Sequence, residues 1–393
     1  MNNSETKTML LSGAQLVLPQ GLVEGKSLLI DSGHISRIDD IDESESGGTT
    51  LNLEGLTLFP GFIDAHIHGA VGVDTMAAST EDLHSVGLFL ASQGVTAWLP
   101  TFVPAADDDY RRAVDAIEVL MREQNARPAA AQAVGIHYEG PFVSQQQCGA
   151  LHTEFFRAYT GASDFEQLPA PQVPGAVRMM TLAPEIEGGL ELIRDLGTRE
   201  WVISIGHTRA PIDLLDRAYA AGAHHMTHFM NAMTPLHHRS PGPVGWGLAK
   251  DDVTCDIIAD GIHLDPFILS LLLKVKAPAR LMLISDAIAA AGKGDGDYSI
   301  WGETIIVKDG RTSNARGSIA GSVITMLDAA RMMRALGATP SDIVRMAATN
   351  PARLLRMDDR GVIEEGKRAD LVALDDAGDV RLTIVGGRIA HQA

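Results

Sequence analysis

The middle of this chain repeats one pattern, in which a short apolar segment precedes a longer segment of helical periodicity. Apolar strands that alternate with helices are typical of a parallel sheet, and about eight such units close into a barrel. We therefore predict a (β/α)8 barrel of the TIM type over residues 59–355. The candidate strands are LTLFPGFIDAH, VTAWLPTF, AVGIHYEG, RMMTLAPE, WVISIGH, HHMTHF, TCDIIAD and RLMLISDA. The candidate helices are Thr80–Gln93, Asp108–Asn125, Gly188–Leu196, Ala210–Ala221, Pro266–Lys274 and Ser322–Leu336.

The two ends of the chain instead show short alternating runs that glycines interrupt, a pattern typical of antiparallel strands. The first end is Met9–Leu58, where we predict a β meander, and the second is GVIEEGKRADLVALDDAGDVRLTIVGGRIA. We predict that residues 1–58 and 356–393 together form one small β-sandwich domain beside the barrel. The segment Ala289–Val307 predicts a hairpin inserted over one barrel face.

The composition disfavours several classes of protein. Acidic residues number 50 and basic residues 32, so the formal net charge of −18 leaves no basic tract for nucleic acid or anionic lipid. The longest apolar runs fall far short of the ~20 residues that span a bilayer, and the N-terminus lacks the pattern of a secretory signal. The two cysteines, Cys148 and Cys255, suit a reducing compartment. We expect a cytoplasmic protein with a small-molecule substrate and with neither a nucleic-acid nor a membrane partner.

Histidines and carboxylates recur at the ends of the predicted strands, where barrel enzymes place their catalytic groups. His66 and His68 stand two residues apart in an extended segment, so both rings point the same way. Each residue alone has a plainer interpretation, such as a hydrogen-bonded histidine or a helix-capping aspartate. Their joint placement predicts a metal-dependent hydrolase, and imidazole and carboxylate ligands suit Zn²⁺, Fe²⁺ or similar ions. The residues are His66, His68, Glu139, His207, His228 and Asp286.

A series of motifs along the whole chain resembles the amidohydrolase superfamily, and within it the N-acetylglucosamine-6-phosphate deacetylase family. The H-x-H pair and GKRADLV indicate only the superfamily. HYEGPF, THFMNAM and HHRSPG are specific to hexosamine-phosphate deacetylases. The motifs occur in the order PGFIDAHIHG, HYEGPF, GHT, THFMNAM, HHRSPG, ADGIH, SDA, IAGS, NPARLL and GVIEEGKRADLVAL.

The resemblance implies a catalytic metal held by Glu139, His207 and His228, with an open position for water. His66 and His68, which some relatives replace, either bind a second ion or only shape the pocket. One or two divalent ions per subunit are therefore expected, zinc first, with iron, cobalt or manganese as alternatives. The metal would polarise the amide and activate water, and Asp286 would act as general base and then as general acid.

The resemblance also assigns the substrate contacts. It implies that the phosphate binds Asn231, the backbone of Ala232, Arg239 and His263, with Arg239 supplied by the neighbouring subunit of a homodimer. The segment Ile319, Ala320 and Gly321 would line the sugar.

One position departs from the family pattern. After Gly149 and the small Ala150, the family has His or Gln against the sugar, whereas this chain has Leu151 and then His152. Either a one-residue shift brings His152 into the pocket, or the sugar contact differs, which leaves the epimer open.

We therefore expect hydrolysis of N-acetyl-D-glucosamine 6-phosphate to D-glucosamine 6-phosphate and acetate, a step of amino-sugar breakdown. The alternatives are an N-acetylgalactosamine-6-phosphate deacetylase, or an amidohydrolase that acts on a cyclic amide or an N-acyl amino acid. A metal-free binding protein on the same barrel would be expected to have lost some ligands or Asp286, and this chain has kept them.

Overall fold

The structure is a computed structural model that describes residues 8–42, 44 and 47–393. Residues 1–7 lie outside the described residues. The prediction that the small β domain begins at residue 1 and the prediction that the N-terminus lacks a secretory signal both fall partly on them. In chain order the strands are β1 (Met9–Ser12), β2 (Gln15–Leu18), β3 (Gly21–Val23), β4 (Ser27–Asp31), β5 (His34–Asp39), β6 (Thr49–Asn52), β7 (Thr57–Pro60), β8 (Phe62–Ile67), β9 (Gly69–Ala70), β10 (Val73–Asp74), β11 (Val95–Phe102), β12 (Gln132–Ala133), β13 (Gly135–Glu139), β14 (Val177–Leu182), β15 (Val202–Ile205), β16 (His225–Met226), β17 (Thr254–Ile258), β18 (Leu281–Ile284), β19 (Gly296–Ile300), β20 (Glu303–Lys308), β21 (Arg311–Ser313), β22 (Leu371–Leu374), β23 (Val380–Val385) and β24 (Arg388–Gln392).

The α-helices in the described part are α1 (Thr80–Ser92), α2 (Asp107–Glu123), α3 (Gly189–Thr198), α4 (Ile212–Ala220), α5 (Gly242–Ala249), α6 (Pro266–Val275), α7 (Met326–Ala335), α8 (Pro340–Val344) and α9 (Asn350–Leu354). A π-helical turn, Arg345–Thr349, joins the last two. No described helix is both long enough and apolar enough to cross a lipid bilayer.

Eight parallel strands form the barrel, in the order β8, β11, β13, β14, β15, β16, β17 and β18. The first and last strands meet at a parallel bridge between Ile67 and Ala287. Across this seam the Asp286 N–H donates to the His66 carbonyl at 2.9 Å, and the His68 N–H donates to the Ala287 carbonyl at 2.8 Å. The predicted barrel is confirmed, and its closure brings two predicted site segments side by side.

All six predicted helices exist, with ends shifted by a few residues. The amphipathic α2 buries residues at three- and four-residue spacing, as a helix packed on a sheet requires; these are Tyr110, Ala113, Val114, Ile117 and Leu120. Helix α7 begins at Met326 rather than Ser322 because Thr325 accepts from the Asp328 N–H in a capping box. Helix α5 was not predicted, since three glycines in GPVGWGLA obscure its periodicity.

The chain ends build two sheets that share one core. A six-stranded sheet has the order β24-β23-β22-β7-β2-β3, and a four-stranded sheet has the order β5-β4-β1-β6. Leu11 from the smaller sheet packs in one cluster with Leu16, Leu58 and Leu371 from the larger, as in a sandwich. The predicted meander is wrong in its pairing, because β1 pairs with β6 and β2 pairs with β7 in parallel. The domain limits at residues 58 and 355 remain a prediction.

The hairpin predicted within Ala289–Val307 is confirmed. Strands β19 and β20 pair antiparallel with Ile300 opposite Glu303, and β21 adds a third strand. Its two-residue turn consists of Trp301 and Gly302, whose φ angles are 53° and 79°. Positive φ at both central positions is the geometry of a type I′ turn.

Candidate metal centre

The predicted metal ligands converge at the carboxyl edge of the barrel. Glu139 is the last residue of β13, and His207, His228 and Asp286 each stand two residues beyond the end of their strands. His66 is the second-to-last residue of β8, and His68 is the first residue beyond that strand. All six side chains are buried in the protein, with Glu139 4% exposed and Asp286 6% exposed. Strand order alone explains the convergence, because the carboxyl ends of parallel strands face one end of a barrel.

Two groups of ligand atoms meet at Glu139. Its Oε1 lies 2.9 Å from Nε2 of His207 and 2.9 Å from Nε2 of His228. Its Oε2 lies 3.3 Å from Nε2 of His68 and 3.9 Å from Nε2 of His66. Each carboxylate oxygen therefore faces one histidine pair, so Glu139 could offer one oxygen to each of two groups of potential metal ligands. We call the two groups the His207 half and the His66 half.

Asp286 belongs to the His66 half. Its Oδ1 lies 3.3 Å from Nε2 of His66 and 3.2 Å from Nε2 of His68. A carboxylate at this position can contact an ion and can also reach a water molecule next to it. The ligand atoms of each half lie within 4.8 Å of one another, and imidazole and carboxylate donors fit a divalent ion.

Outer hydrogen bonds orient the histidine rings. Nδ1 of His207 lies 2.7 Å from the Gln147 carbonyl, which fixes the ring with Nε2 towards Glu139. Nδ1 of His68 lies 3.3 Å from the Thr101 carbonyl. The His228 backbone N–H donates to Oδ1 of Asp256, and Oδ2 of Asp256 lies 3.0 Å from Nε2 of His225. Sequence reasoning missed Asp256, which carries no motif and acts through the chain at His228.

Burial and close charges perturb the ionisable groups. Burial opposes the charged form of Glu139, but hydrogen bonds from His207, His228 and His68 outweigh it and hold the pKa of the carboxyl well below its usual value. For His68, burial is likewise outweighed by Asp286 and Glu139, and the pKa rises to about 10. Burial lowers the pKa of His66 well below its usual value. Such groups, pushed in opposite directions at one place, are characteristic of a functional site.

The backbone at the site is strained in a way that marks function. His207, His228, Ala232 and Asp286 have φ values of 46°, 31°, 48° and 49°, in the left-handed region that residues other than glycine rarely adopt. Such strain persists only where the surrounding structure holds it, commonly at active sites. The IAGS motif needs a glycine at Gly321 for a steric reason, because a Cβ there would lie 2.8 Å from the Asp286 carbonyl oxygen.

A cavity of about 310 Å³ opens above the metal ligands and contains most of the predicted substrate residues. Asn231 and His263 line it on one side, and the His263 ring is held by Asp260 at 2.6 Å. The predicted substrate residues that line it are Ala150, Leu151, Asn231, Ala232, His263, Ile319 and Gly321. The lining residues that sequence reasoning missed include Gly149, Ile258, Trp301 and Ser318.

Three predicted contacts lie elsewhere in the described structure. His152 lines a neighbouring cavity, with Nδ1 3.3 Å from Glu154, so Leu151 rather than His152 faces the metal cavity. Ala320 is fully buried, and its N–H donates to Thr312 at 3.1 Å. Arg239 is exposed, and its Nη1 lies 2.7 Å from Nε2 of His238.

The pattern of ligands along the barrel also appears in known proteins. A sequence profile of the Amidohydrolase family matches residues 57–390, a range that includes every predicted ligand. The chain belongs to the amidohydrolase family. This confirms the superfamily that the H-x-H pair and GKRADLV indicate.

Two curated relatives resemble this amidohydrolase over nearly its whole length. N-acetylglucosamine-6-phosphate deacetylase of Bacillus subtilis (strain 168) is 36% identical over 390 residues, which are 98% of this chain and 97% of that protein. N-acetylgalactosamine-6-phosphate deacetylase of Escherichia coli O157:H7 is 36% identical over 385 residues, or 98% and 99% of the two chains.

A solved structure extends the likeness to three dimensions. It is a mutant of N-acetyl-D-glucosamine-6-phosphate deacetylase from Mycobacterium smegmatis in complex with N-acetyl-D-glucosamine-6-phosphate. It matches this amidohydrolase with a TM-score of 0.86 and 31% identity, over 98% of this chain and 99% of that one.

Proposed function

We propose that this amidohydrolase removes the acetyl group of N-acetyl-D-glucosamine 6-phosphate to give D-glucosamine 6-phosphate and acetate. The observation that carries the proposal is the pair of buried ligand groups joined by Glu139, with Asp286 beside them and a substrate-sized cavity above. The family membership and the full-length likeness to hexosamine-phosphate deacetylases support the same activity.

The donor atoms support two divalent ions per subunit, one in each half, with Glu139 between them. Zinc is the first choice because two imidazoles and a carboxylate oxygen suit its coordination, while iron, cobalt and manganese accept the same donors. A bound ion would polarise the amide carbonyl and lower the pKa of its bound water towards ~7.

Asp286 completes the hydrolysis as the group that moves the proton. Its carboxylate takes a proton from the attacking water as the new C–O bond forms at the amide carbon. It then returns the proton to the sugar nitrogen as the C–N bond breaks, so that the amine leaves uncharged. Its place 3.2 Å from His68 puts it within reach of water at the His66 half.

The phosphate would bind in the part of the cavity where β16 and β17 end. The side-chain nitrogen of Asn231 is buried there with no hydrogen-bond partner among the described residues, and a phosphate oxygen would supply one. His263 faces the same cavity, and Asp260 holds its ring in place through Nδ1 at 2.6 Å.

We propose a homodimer in which Arg239 reaches the partner subunit's cavity. Arg239 is exposed, and large apolar side chains that are also exposed support burial against a second copy: Leu236 is 54% exposed and Phe267 74% exposed. Phe267, Leu271 and Val275 follow one another at four-residue spacing on α6, so they form one exposed apolar stripe. The two free cysteines and the acidic composition support a cytoplasmic location.

The galacto epimer is the second candidate, because one relative of equal identity has that name and because Leu151 faces the cavity where the family pattern places a hydrogen-bonding residue. The test is acetate release from both 6-phosphate epimers and from unphosphorylated N-acetylglucosamine, with metal analysis of the same sample. We expect fastest turnover of the gluco 6-phosphate and little of the free sugar. Equal rates on phosphorylated and free sugar would contradict the phosphate site.

A further inference from the structure

The tip of the inserted hairpin places a large aromatic side chain against the metal centre. The indole of Trp301 packs edge-on against the His68 ring, with centroids 5.2 Å apart and planes at 82°. Trp301 holds the first position of a type I′ turn, where Asn or Gly is preferred because φ is positive. A tryptophan kept in a strained position beside a metal ligand indicates a role for the side chain rather than for the turn.

Trp301 also separates two cavities. It lines the metal cavity of about 310 Å³ and a neighbouring cavity of about 610 Å³, and it is the single lining residue that the two share in the described structure. The neighbouring cavity is lined by apolar side chains that include Val73, Met76, Val103 and Phe155, and also by the charged residues Asp74, Asp82, Asp109 and Arg112. The indole therefore acts as a wall between the reaction centre and a partly apolar space large enough for a short alkyl chain.

The orientation of the substrate points its acyl group at this wall, an argument that rests on the proposed function. In an N-acyl hexosamine 6-phosphate, the phosphate and the acylamino group lie at opposite ends of the sugar. Asn231 and His263, the proposed phosphate contacts, follow β16 and β17, whereas Trp301 contacts His68 at the end of β8, which lies three strands from β16 around the barrel. With the amide carbon at the metal centre, the carbon chain beyond it extends towards Trp301.

We propose that Trp301 limits the length of the acyl group that the enzyme removes. An acetyl methyl ends in front of the indole, and a longer chain meets the indole. Removal of the indole joins the metal cavity to the neighbouring apolar space, so that a propionyl or butyryl chain passes into it. Trp301 is in this sense a specificity-determining residue and takes no part in proton transfer.

The test compares N-acetyl- and N-butyrylglucosamine 6-phosphate on wild-type enzyme and on Trp301→Asn, which keeps a side chain that the turn prefers. One methylene in an apolar pocket changes kcat/KM by roughly 10–200-fold. We expect the butyryl-to-acetyl ratio of kcat/KM to rise at least about 10-fold in the variant. An unchanged ratio, in a variant that still binds metal and releases acetate, overturns the proposal.

A second variant and a control keep the result decisive. Trp301→Phe retains a ring against His68 but is smaller, so the ratio should rise less; if the Asn variant loses metal, an unchanged ratio in the Phe variant overturns the proposal. Phe155→Ala widens the neighbouring cavity without touching the wall, and it should keep the wild-type preference. Wild-type enzyme that releases no acetate from either 6-phosphate epimer would instead contradict the proposed function.

Discussion

The two halves of the metal centre share Glu139 but are held by different parts of the fold. In the His207 half, the Gln147 carbonyl of the loop after β13 holds the His207 ring, and Asp256 of the neighbouring strand β17 holds the His228 backbone. In the His66 half, the ligands lie on the barrel seam, and Asp286 contacts both histidines. The contrast suggests a division of labour, with ion binding alone in the His207 half and ion binding beside proton transfer in the His66 half.

The change that should break both halves at once is Glu139→Gln. The amide keeps the shape but loses the negative charge that faces both histidine pairs. We expect loss of metal and of measurable deacetylation, checked by elemental analysis and acetate release.

A matched pair separates the halves. His207→Ala should remove the ion of its half and abolish turnover, whereas His66→Ala should retain one ion per subunit and residual turnover. Full metal and full activity in the Glu139 variant would refute the ligand assignment.

Asp286→Asn should give the next largest effect and should spare the metal. Asparagine cannot accept the water proton or return it to the amine, and loss of a positioned acid–base group costs ~10²–10⁴-fold in rate. We expect kcat to fall by about that factor with KM little changed, because asparagine keeps the size of the side chain and the proposed phosphate contacts, Asn231 and His263, are untouched. Near-normal kcat with intact metal would remove Asp286 from the mechanism; metal loss would make it mainly a ligand.

Asp256→Asn should give the smallest effect and confine it to the His207 half. Groups that orient a metal ligand typically contribute 10–100-fold in metal affinity or activity. We expect weaker metal binding, measured by titration of a metal-depleted sample, with turnover restored when metal is added in excess. The control is Asp265→Ala, which removes the N-cap of α6 and should lower stability by about 1 kcal/mol without changing metal affinity. Equal metal affinity in the Asp256→Asn variant and the wild-type enzyme would show that Asp256 does not support the metal centre.

The barrel and the positions of the ligands could be predicted because each depends on a local pattern. Apolar strands such as VTAWLPTF are visible in the sequence, and the rule that parallel strands end at one edge then places Glu139, His207 and Asp286 together. Contacts made between distant segments could not be predicted this way. Nothing near Trp301 in the sequence indicates that a hairpin tip would contact His68, and nothing near Asp256 indicates its bond to His228.

The prediction of how the strands at the chain ends pair was wrong for the same reason. Alternation predicts strands but not their neighbours, and the parallel pair β2–β7 joins segments separated by four other strands. Antiparallel neighbours are the usual choice for short connections, so the sequence favoured a meander. The sequence likewise leaves open whether Leu151 or His152 faces the cavity, because this depends on the path of the loop after Glu139. In the structure Leu151 faces the cavity.

The sheet that both chain ends build cannot be completed until the C-terminal strands have been synthesised. Strand β7, which leads through Gly61 directly into the strand that carries His66, has β22 as its neighbour, with Pro60 opposite Leu371. Until the last residues are translated, one edge of β7 has no partner, and an open strand edge invites pairing with other chains. The strand that carries His66 therefore follows β7, whose neighbour β22 is synthesised near the end of the chain. A chain that ends before β22 would contain all its metal ligands but would lack part of the sheet next to them.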